Sequence, residues 1–289
     1  MNSDTRHAGS MRRIVHPGPW ADQRHQAVPC RVTQRRLVLR GGQTLHAAVV
    51  MVLEESGARA AYLELAEAMM ASLRYVIPAD DESGEHAAWY SATHELAPPA
   101  LLHRAGLHVG CRDGKPFLHC HGLWEGADGT RAMGHMLPTE SVLAEDTEAT
   151  CLVVEDALLE VIHDAETRFS LFAPRCEGPP STGTNALLFT LRPNQDLGEA
   201  VEALADRYGL TEAQLSGLGS LVGTTFADGS VLNSHATEVL ILEGNLKDGK
   251  AIIELASVGI DGRHHQGRLA PGHNAVCVTA ELILHQCPA

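Results

Sequence analysis

The stretch from Phe117 to Met136 carries residues whose types and spacing could hold a metal ion. It reads FLHCHGLWEGADGTRAMGHM, with His119 and His121 one residue apart and His135 fourteen residues later. Neutral imidazoles are good ligands for Zn²⁺ and for similar divalent transition metals. Three protein ligands leave a fourth coordination position open, which is the pattern of a catalytic or substrate-binding metal.

The element that must position these side chains is a predicted β-hairpin. Phe117 to Trp124 forms its first strand and Arg131 to Leu137 forms its second. The turn lies at Ala127-Asp128-Gly129, where glycine supplies the positive φ that a tight turn needs.

Alternation along the strands predicts that the three imidazoles share one face. His119 and His121 point the same way because side chains alternate along a strand. A turn centred on Asp128 then places His135 opposite His121. The competing interpretation is three surface or hydrogen-bonded histidines, because the chain contains 17 histidines.

The hairpin belongs to a sequence that matches itself. LVLRGGQTLHAAVVMVLEESG begins at Leu37, and FTLRPNQDLGEAVEALADRYG begins at Phe189. The two segments align without a gap, and each predicts a short strand followed by an amphipathic helix. Thr44 and Asp196 stand at the N-cap positions, and Gly57 follows the first helix as a stop signal. The buried stripes are Leu45, Ala48, Val49, Val52 and Leu53 in the first helix and Leu197, Ala200, Val201, Leu204 and Ala205 in the second.

The match returns at the hairpin but without the imidazoles. CRDGKPFLHCHG begins at Cys111, and its counterpart LKDGKAIIELAS begins at Leu246. In the second copy Glu254, Ala256 and Arg268 stand where the first has His119, His121 and His135. Three histidines that disappear together support a joint role, and they predict one metal ion per chain, in the first copy.

These observations predict the organisation of the chain. Residues 1–30 form an N-terminal arm, residues 31–175 a metal-bearing first domain, residues 176–185 a linker, and residues 186–289 a second domain without metal ligands. Each domain is predicted as a mostly antiparallel sheet with one main helix, which is the α+β class. Within them, the longer middle of the first copy (residues 76–94) reads as an extended loop, and SGLGSL at Ser216 as a glycine-bearing loop.

Composition limits the partners. The 289-residue chain has 22 basic and 36 acidic residues, a net charge of −14. A charge of that sign disfavours nucleic acid, although a local basic patch would still permit it. Seven cysteines without a CxxC pair indicate reduced thiols in a cytoplasmic protein. The N-terminus has no secretory-type apolar segment, and no run of 18 apolar residues predicts a membrane span.

Candidate substrate-binding residues flank the hairpin. Arg104 and Arg131 could hold a substrate carboxylate through two parallel hydrogen bonds, and surface roles are the alternative. Glu125 could contact substrate or act as a general base, a role equally open to Asp128 and Glu140. The sequence does not identify a catalytic residue among them.

Several of these motifs resemble one known family. LRPNQDLGEAVEALADRYGL, SGLGSL, LEGNLKDGK and VTAEL in the second copy are similar to the PCC (plants and prokaryotes conserved) domain. DGKPFLHCHG and MGHML in the first copy resemble the metal-binding hairpin of its prokaryotic members. The resemblance implies an α+β fold, a trimeric assembly, and zinc or a similar metal on His119, His121 and His135. It does not settle a reaction.

The sequence therefore favours a metalloprotein acting on a small polar or anionic metabolite, as a hydrolase, lyase or isomerase. One alternative is a DNA-associated regulatory protein of the PCC type. Plant members contact DNA chiefly through an AT-hook with an Arg-Gly-Arg-Pro core, which this chain lacks. Another alternative is a non-catalytic sensor of a metabolite or metal.

Overall fold

The structure is a computed structural model that describes residues 11–178 and 183–286. Residues 1–10 of the predicted arm, residues 179–182 of the predicted linker and residues 287–289 lie outside the described residues.

Strands make up most of the regular structure. The described residues form two helices, α1 (Leu45–Ser56) and α2 (Leu197–Arg207). The strands, in chain order, are β1 (His25–Leu39), β2 (Ala60–Ser72), β3 (Arg74–Val76), β4 (Pro78–Ala79), β5 (Trp89–Tyr90), β6 (His94–Glu95), β7 (Ala100–Arg112), β8 (Lys115–Glu125), β9 (Arg131–Met136), β10 (Val142–Leu143), β11 (Thr147–Glu155), β12 (Ala157–His163), β13 (Ser170–Cys176), β14 (Ala186–Leu191), β15 (Ala213–Leu221), β16 (Thr224–Thr225), β17 (Val231–Leu232), β18 (Thr237–Lys247), β19 (Lys250–Gly259), β20 (His264–Arg268) and β21 (Val276–His285).

The predicted α+β class was wrong, because the protein is mostly antiparallel β-sheet. Strands hold 56% of the residues and the two helices only 8%. The prediction gave each domain one main helix packed on its sheet, but strands from distant parts of the chain also cover the sheet faces. Leu107 of β7 shares one buried core with Leu218 of β15 and Leu240 of β18. Sheet packed on sheet therefore buries the apolar faces.

The two helices begin where the sequence predicts. The Thr44 hydroxyl accepts a hydrogen bond from the Ala47 backbone N–H at 3.2 Å. The Asp196 carboxylate accepts one from the Glu199 N–H at 3.1 Å. Gly57 takes up a left-handed conformation (φ 72°) after α1, as a stop signal should. Both N-caps are confirmed, and each helix buries four of the five residues in its predicted stripe, whereas Val52 and Ala200 are half-buried.

The same ladder order occurs in both halves of the chain. In the first half, β2 pairs with β7, β7 with β8 and β8 with β9. In the second half, β15 pairs with β18, β18 with β19 and β19 with β20. All six pairings are antiparallel.

Strand β1 connects the two ladders. Its residues 25–30 pair with β14 in the second half, and its residues 31–39 pair with β11 in the first half. One continuous strand is therefore hydrogen-bonded to both halves.

The segment SGLGSL lies inside β15, so its prediction as a loop was wrong. A Cβ on Gly217 (φ 147°) would lie 2.2 Å from the Glu281 carbonyl oxygen, and one on Gly219 would lie 2.5 Å from that of Thr279. The two glycines therefore let β21 approach β15 closely, and they do not form a turn.

The described part of the N-terminal arm is held against the rest of the protein. The Asn194 side-chain amide exchanges hydrogen bonds with the backbone of Ile14 in both directions. Nε2 of His16 lies 2.7 Å from the Cys277 carbonyl oxygen, and Arg24 pairs with buried Glu166 at 2.6 Å. No helix in residues 11–178 or 183–286 is long and apolar enough to cross a membrane.

Candidate metal centre

The predicted hairpin and its register are confirmed. Strands β8 and β9 pair antiparallel, and His121 lies directly opposite His135. His119 lies two residues earlier on β8, so alternation places it on the same face.

The three imidazoles converge on one point. One ring nitrogen from each of His119, His121 and His135 lies within 4.8 Å of the other two. Nε2 of His119 is 3.1 Å from Nε2 of His121. The ring centroids of His119 and His135 are 4.8 Å apart, and those of His121 and His135 are 5.4 Å apart.

The outward-facing nitrogens of two imidazoles are held by the second half of the chain. Nδ1 of His119 lies 2.6 Å from Oε2 of Glu281, and Nδ1 of His121 lies 2.9 Å from the Val239 carbonyl oxygen. A carbonyl can only accept a hydrogen bond, so Nδ1 of His121 carries the proton and its Nε2 presents a lone pair. The Glu281 carboxylate likewise accepts a hydrogen bond from Nδ1–H of His119, so Nε2 of that ring also presents a lone pair.

This arrangement fits a divalent metal. With both Nδ1 atoms protonated, two Nε2 lone pairs face each other at 3.1 Å, and only a proton or a cation between them relieves the repulsion. Two nitrogens bound to one tetrahedral zinc lie about 3.3 Å apart, given Zn–N bonds of about 2.0 Å. Nδ1 of His135 is buried and has no hydrogen-bond partner among the described residues. Together these nitrogens make a suitable donor set.

Burial keeps two of the imidazoles neutral. It lowers the pKa of His121 and of His135 well below the usual value, and the neighbouring His119 lowers both further. Only a neutral imidazole can donate a lone pair to a metal, so this environment favours coordination.

A second carboxyl group lies beside the histidines. Oε1 of Glu238 is 4.0 Å from Nε2 of His121, and its Oε2 is buried with no partner among the described residues. Burial raises the pKa of Glu238 to about 8. This carboxyl group therefore holds its proton near neutral pH, in a position to give or take one.

A cavity of about 60 Å³ opens beside the histidines. His119 and His121 line it together with Glu238, Trp89 and Tyr90. The Tyr90 ring makes an edge contact with His135 at 5.3 Å between centroids. The segment predicted as an extended loop (residues 76–94) contains the short strands β4 and β5, and it brings both aromatic residues to the site.

The three candidate substrate-binding residues do not reach this cavity. Arg131 donates to Glu125 at 2.6 Å, and the two lie opposite each other at the far end of the hairpin. That end is about 13 Å from His121, since each strand residue advances about 3.3 Å. Arg104 pairs with Glu64 at 3.1 Å and lines a separate surface groove.

Sequence reasoning did not single out the residues of the second half that complete the site. Glu281 lies within VTAEL, and Glu238 and Val239 begin β18, but nothing local marks them as neighbours of the hairpin. Glu281 is 162 positions away from His119, so only the packing of the two halves reveals the contact.

Comparison with protein-family models finds a match in the second half of the chain. Residues 179–288 match the model of the Plants and Prokaryotes Conserved (PCC) domain. The three histidines lie outside this range. A search of curated proteins gave no match.

Solved structures also resemble part of the chain. A metal-containing protein from Archaeoglobus fulgidus is 26% identical, and the match covers 49% of this chain and 93% of that one with a TM-score of 0.41. A plant- and prokaryote-conserved protein from Pyrococcus horikoshii is 16% identical, with 50% and 94% covered and a TM-score of 0.39.

Proposed function

We propose that the protein binds one zinc-like divalent ion on His119, His121 and His135 and acts on a small polar or anionic metabolite. The observation that carries the proposal is the 3.1 Å approach of two Nε2 atoms whose Nδ1 atoms are engaged by Glu281 and Val239. A bound metal of this kind polarises a carbonyl group or activates water, which suits a hydrolase, lyase or isomerase.

The residues around the histidines have separate roles in this proposal. Glu281 orients the His119 ring, and the Val239 carbonyl orients the His121 ring. Glu238 holds a proton beside the open side of the site and delivers it to the substrate. Trp89 and Tyr90 cover the cavity and exclude water from it.

The assembly is part of the proposal. We infer that the chain consists of an N-terminal arm, residues 1–30, followed by two tandem PCC-like units. The units span residues 31–175 and 186–289 and are joined by residues 176–185. The PCC match at residues 179–288 and the repeated ladder order support this division. The trimer and the cytoplasmic location rest on the family resemblance and on the cysteine pattern, and sedimentation equilibrium of the purified chain tests the trimer.

Elemental analysis of purified protein tests the metal site. We expect about one zinc-like ion per chain in the wild type, and none in a His119→Ala, His121→Ala variant that keeps the wild-type circular dichroism spectrum. Glu254→Ala in the second hairpin is the matched control and should keep the ion. A wild type without stoichiometric metal, even after zinc is added back, would overturn the proposal.

Two further assays separate the alternatives. Turnover of a screened metabolite by the metal-loaded protein, abolished in the histidine variant, distinguishes an enzyme from a sensor. A gel shift at physiological ionic strength that weakens with added salt would instead favour a DNA-associated regulator.

A further inference from the structure

His119 also lines a second and larger cavity. It has a volume of about 390 Å³, and His119, His135 and Glu281 are among the residues that line it. Trp89, Tyr90 and Phe169 line both this cavity and the smaller one described above. A molecule in the larger cavity would therefore lie against an aromatic wall and touch the histidines.

The wall of the larger cavity consists of contacting rings. Trp89 stacks on Phe169 with 5.2 Å between centroids, and Phe117 meets the edge of Phe172 at 5.6 Å. Flat apolar surfaces of this kind favour an aromatic or similarly planar ligand over a bulky or fully polar one.

Two arginines line the same cavity without a carboxylate partner. Neither Arg112 nor Arg168 forms an ion pair within the described residues, whereas Arg131 and Arg175 nearby in the first half are paired with Glu125 and Glu160. The Arg112 guanidinium lies 4.3 Å from the Phe117 ring centroid. This cation–π contact holds the positive group beside the aromatic wall.

From this combination we infer that the larger cavity binds a small planar acid, an aromatic carboxylate whose charge pairs with Arg112 and Arg168 and whose ring packs on Phe117 and Phe169. Guanidinium groups match carboxylates in shape and charge, and the site lies in a chain whose net charge of −14 would otherwise repel an anion. The inference deepens the proposed function by naming its substrate class. It rests on the proposed function in one respect, that the ligand lies against the metal-site residues His119 and His135.

Calorimetric titration of the full-length, metal-loaded protein tests the inference with three probes. Cinnamate carries both the ring and the carboxylate, cinnamamide carries the ring without the charge, and butyrate carries the charge without the ring. We expect cinnamate to bind about ten-fold or more tightly than either of the others, because a hydrogen-bonded charge and a buried ring each add to affinity. Phenyl phosphate in a fourth titration distinguishes a carboxylate site from a phosphate site, and it should bind more weakly than cinnamate.

Three variants locate the binding. Arg112→Gln and Arg168→Gln should each weaken cinnamate binding about ten-fold while leaving cinnamamide binding unchanged. Arg131→Gln removes an exposed arginine outside the cavity and should bind cinnamate like the wild type. Thermal melts confirm folding, and Arg112→Lys, which keeps the charge, should recover part of the affinity if Arg112→Gln is unstable.

The outcomes are separable from those for the metal site. Equal binding of cinnamate and cinnamamide, wild-type binding by both glutamine variants, tighter binding of phenyl phosphate, or no binding of cinnamate at millimolar concentration would each overturn the inference. Arginine-dependent binding of cinnamate to a protein that holds no metal would support the inference and overturn the proposed function.

Discussion

The hairpins β8–β9 and β19–β20 have the same antiparallel pairing but different surroundings. The first turns His119 and His121 towards β18 and β21 of the second half, where Glu281 and a backbone carbonyl engage them. In the second hairpin the counterparts of His119 and His135, Glu254 and Arg268, lie exposed on the surface, and the counterpart of His121 is the buried Ala256. A hairpin alone therefore does not make a site, because the opposing half must supply partners for the outer nitrogens.

A histidine of the second hairpin shows the alternative outcome. Nε2 of His265 lies 3.1 Å from the Ser230 hydroxyl, and its ring meets the edge of Phe226 at 4.6 Å. The contacts of this imidazole are therefore one hydrogen bond and packing against an aromatic ring. In the first hairpin, His121 converges with two other imidazoles on one point. Among the described residues, His265 belongs to no such group.

The largest expected effect comes from making the first hairpin resemble the second. His135→Arg introduces the residue that the second copy has at Arg268, and its fixed positive charge would lie among the metal-binding nitrogens. We expect metal content to fall from about one ion per chain to background in elemental analysis. Arg268→His is the reciprocal control and should not add a second ion, because Glu254 and Ala256 remain. Retention of metal by His135→Arg would contradict the three-histidine site.

Acid should destabilise the first half through His108, which lies opposite His119. Burial lowers the pKa of His108 to about 4, and its Nε2 contacts the Glu281 carbonyl oxygen at 2.9 Å. Between pH 6.5 and 4 the unfolded chain binds a proton that the folded protein does not. The free energy of unfolding therefore does not change with the titration of His108 above pH 6.5. It falls as pH drops from 6.5 towards 4, by at most about 3 kcal/mol.

Urea unfolding of metal-free protein at pH 7.5 and 4.5 measures this effect. Burial raises the pKa of Glu238, which acts in the opposite direction, so the informative quantity is the difference between wild type and His108→Gln. The variant should lose less free energy of unfolding than the wild type on acidification. Equal losses in the two proteins would rule out His108 as the cause.

A smaller effect is expected from the carboxylate that the second half contributes. Glu281→Gln keeps an oxygen that can accept a hydrogen bond from the His119 Nδ1–H but removes the charge, so we expect metal affinity to fall ten- to a hundred-fold. A competition titration with a chelator measures the dissociation constant. Glu243→Gln, an exposed carboxylate on β18, is the control, and equal affinities in the two variants would mean that Glu281 does not act through His119.

The smallest effect is expected in the second hairpin. Glu254 and Arg268 are directly opposite and exposed, so Arg268→Glu places two negative charges across the strands. Like charges at such positions cost about 0.2–1 kcal/mol, and metal content should not change. Urea unfolding and elemental analysis check both parts. Loss of metal in this variant would show that the second hairpin shares in the site.

Local features of the fold were predictable from the sequence, and long-range features were not. Thr44, Asp196 and the register of His121 with His135 follow from short-range rules of capping and alternation. The fold class depended on which surface covers each sheet. That information lies in which strands share a core, such as those of Leu107 and Leu240, and no local pattern reveals it.

The same limit applies to the site and to β2. LELAEAMMASL has a composition that favours a helix, yet it forms β2, because pairing with β7 and β11 overrides local propensity. The histidines could be chosen from the sequence because they are close together in it. Arg112, Arg168 and Glu281 could not, because their neighbours come from other strands.

Strand β1 has a consequence for synthesis of the protein on the ribosome. Its partners β11 and β14 begin at Thr147 and Ala186, more than a hundred residues after β1 ends at Leu39. At translation rates of about 5–20 residues per second, β1 emerges roughly 5–20 s before β11 exists. Throughout that interval the fifteen-residue strand lacks both of its final partners. A circular permutation that moves residues 25–39 to the end of the chain would let β1 be synthesised after both of its partners, β11 and β14.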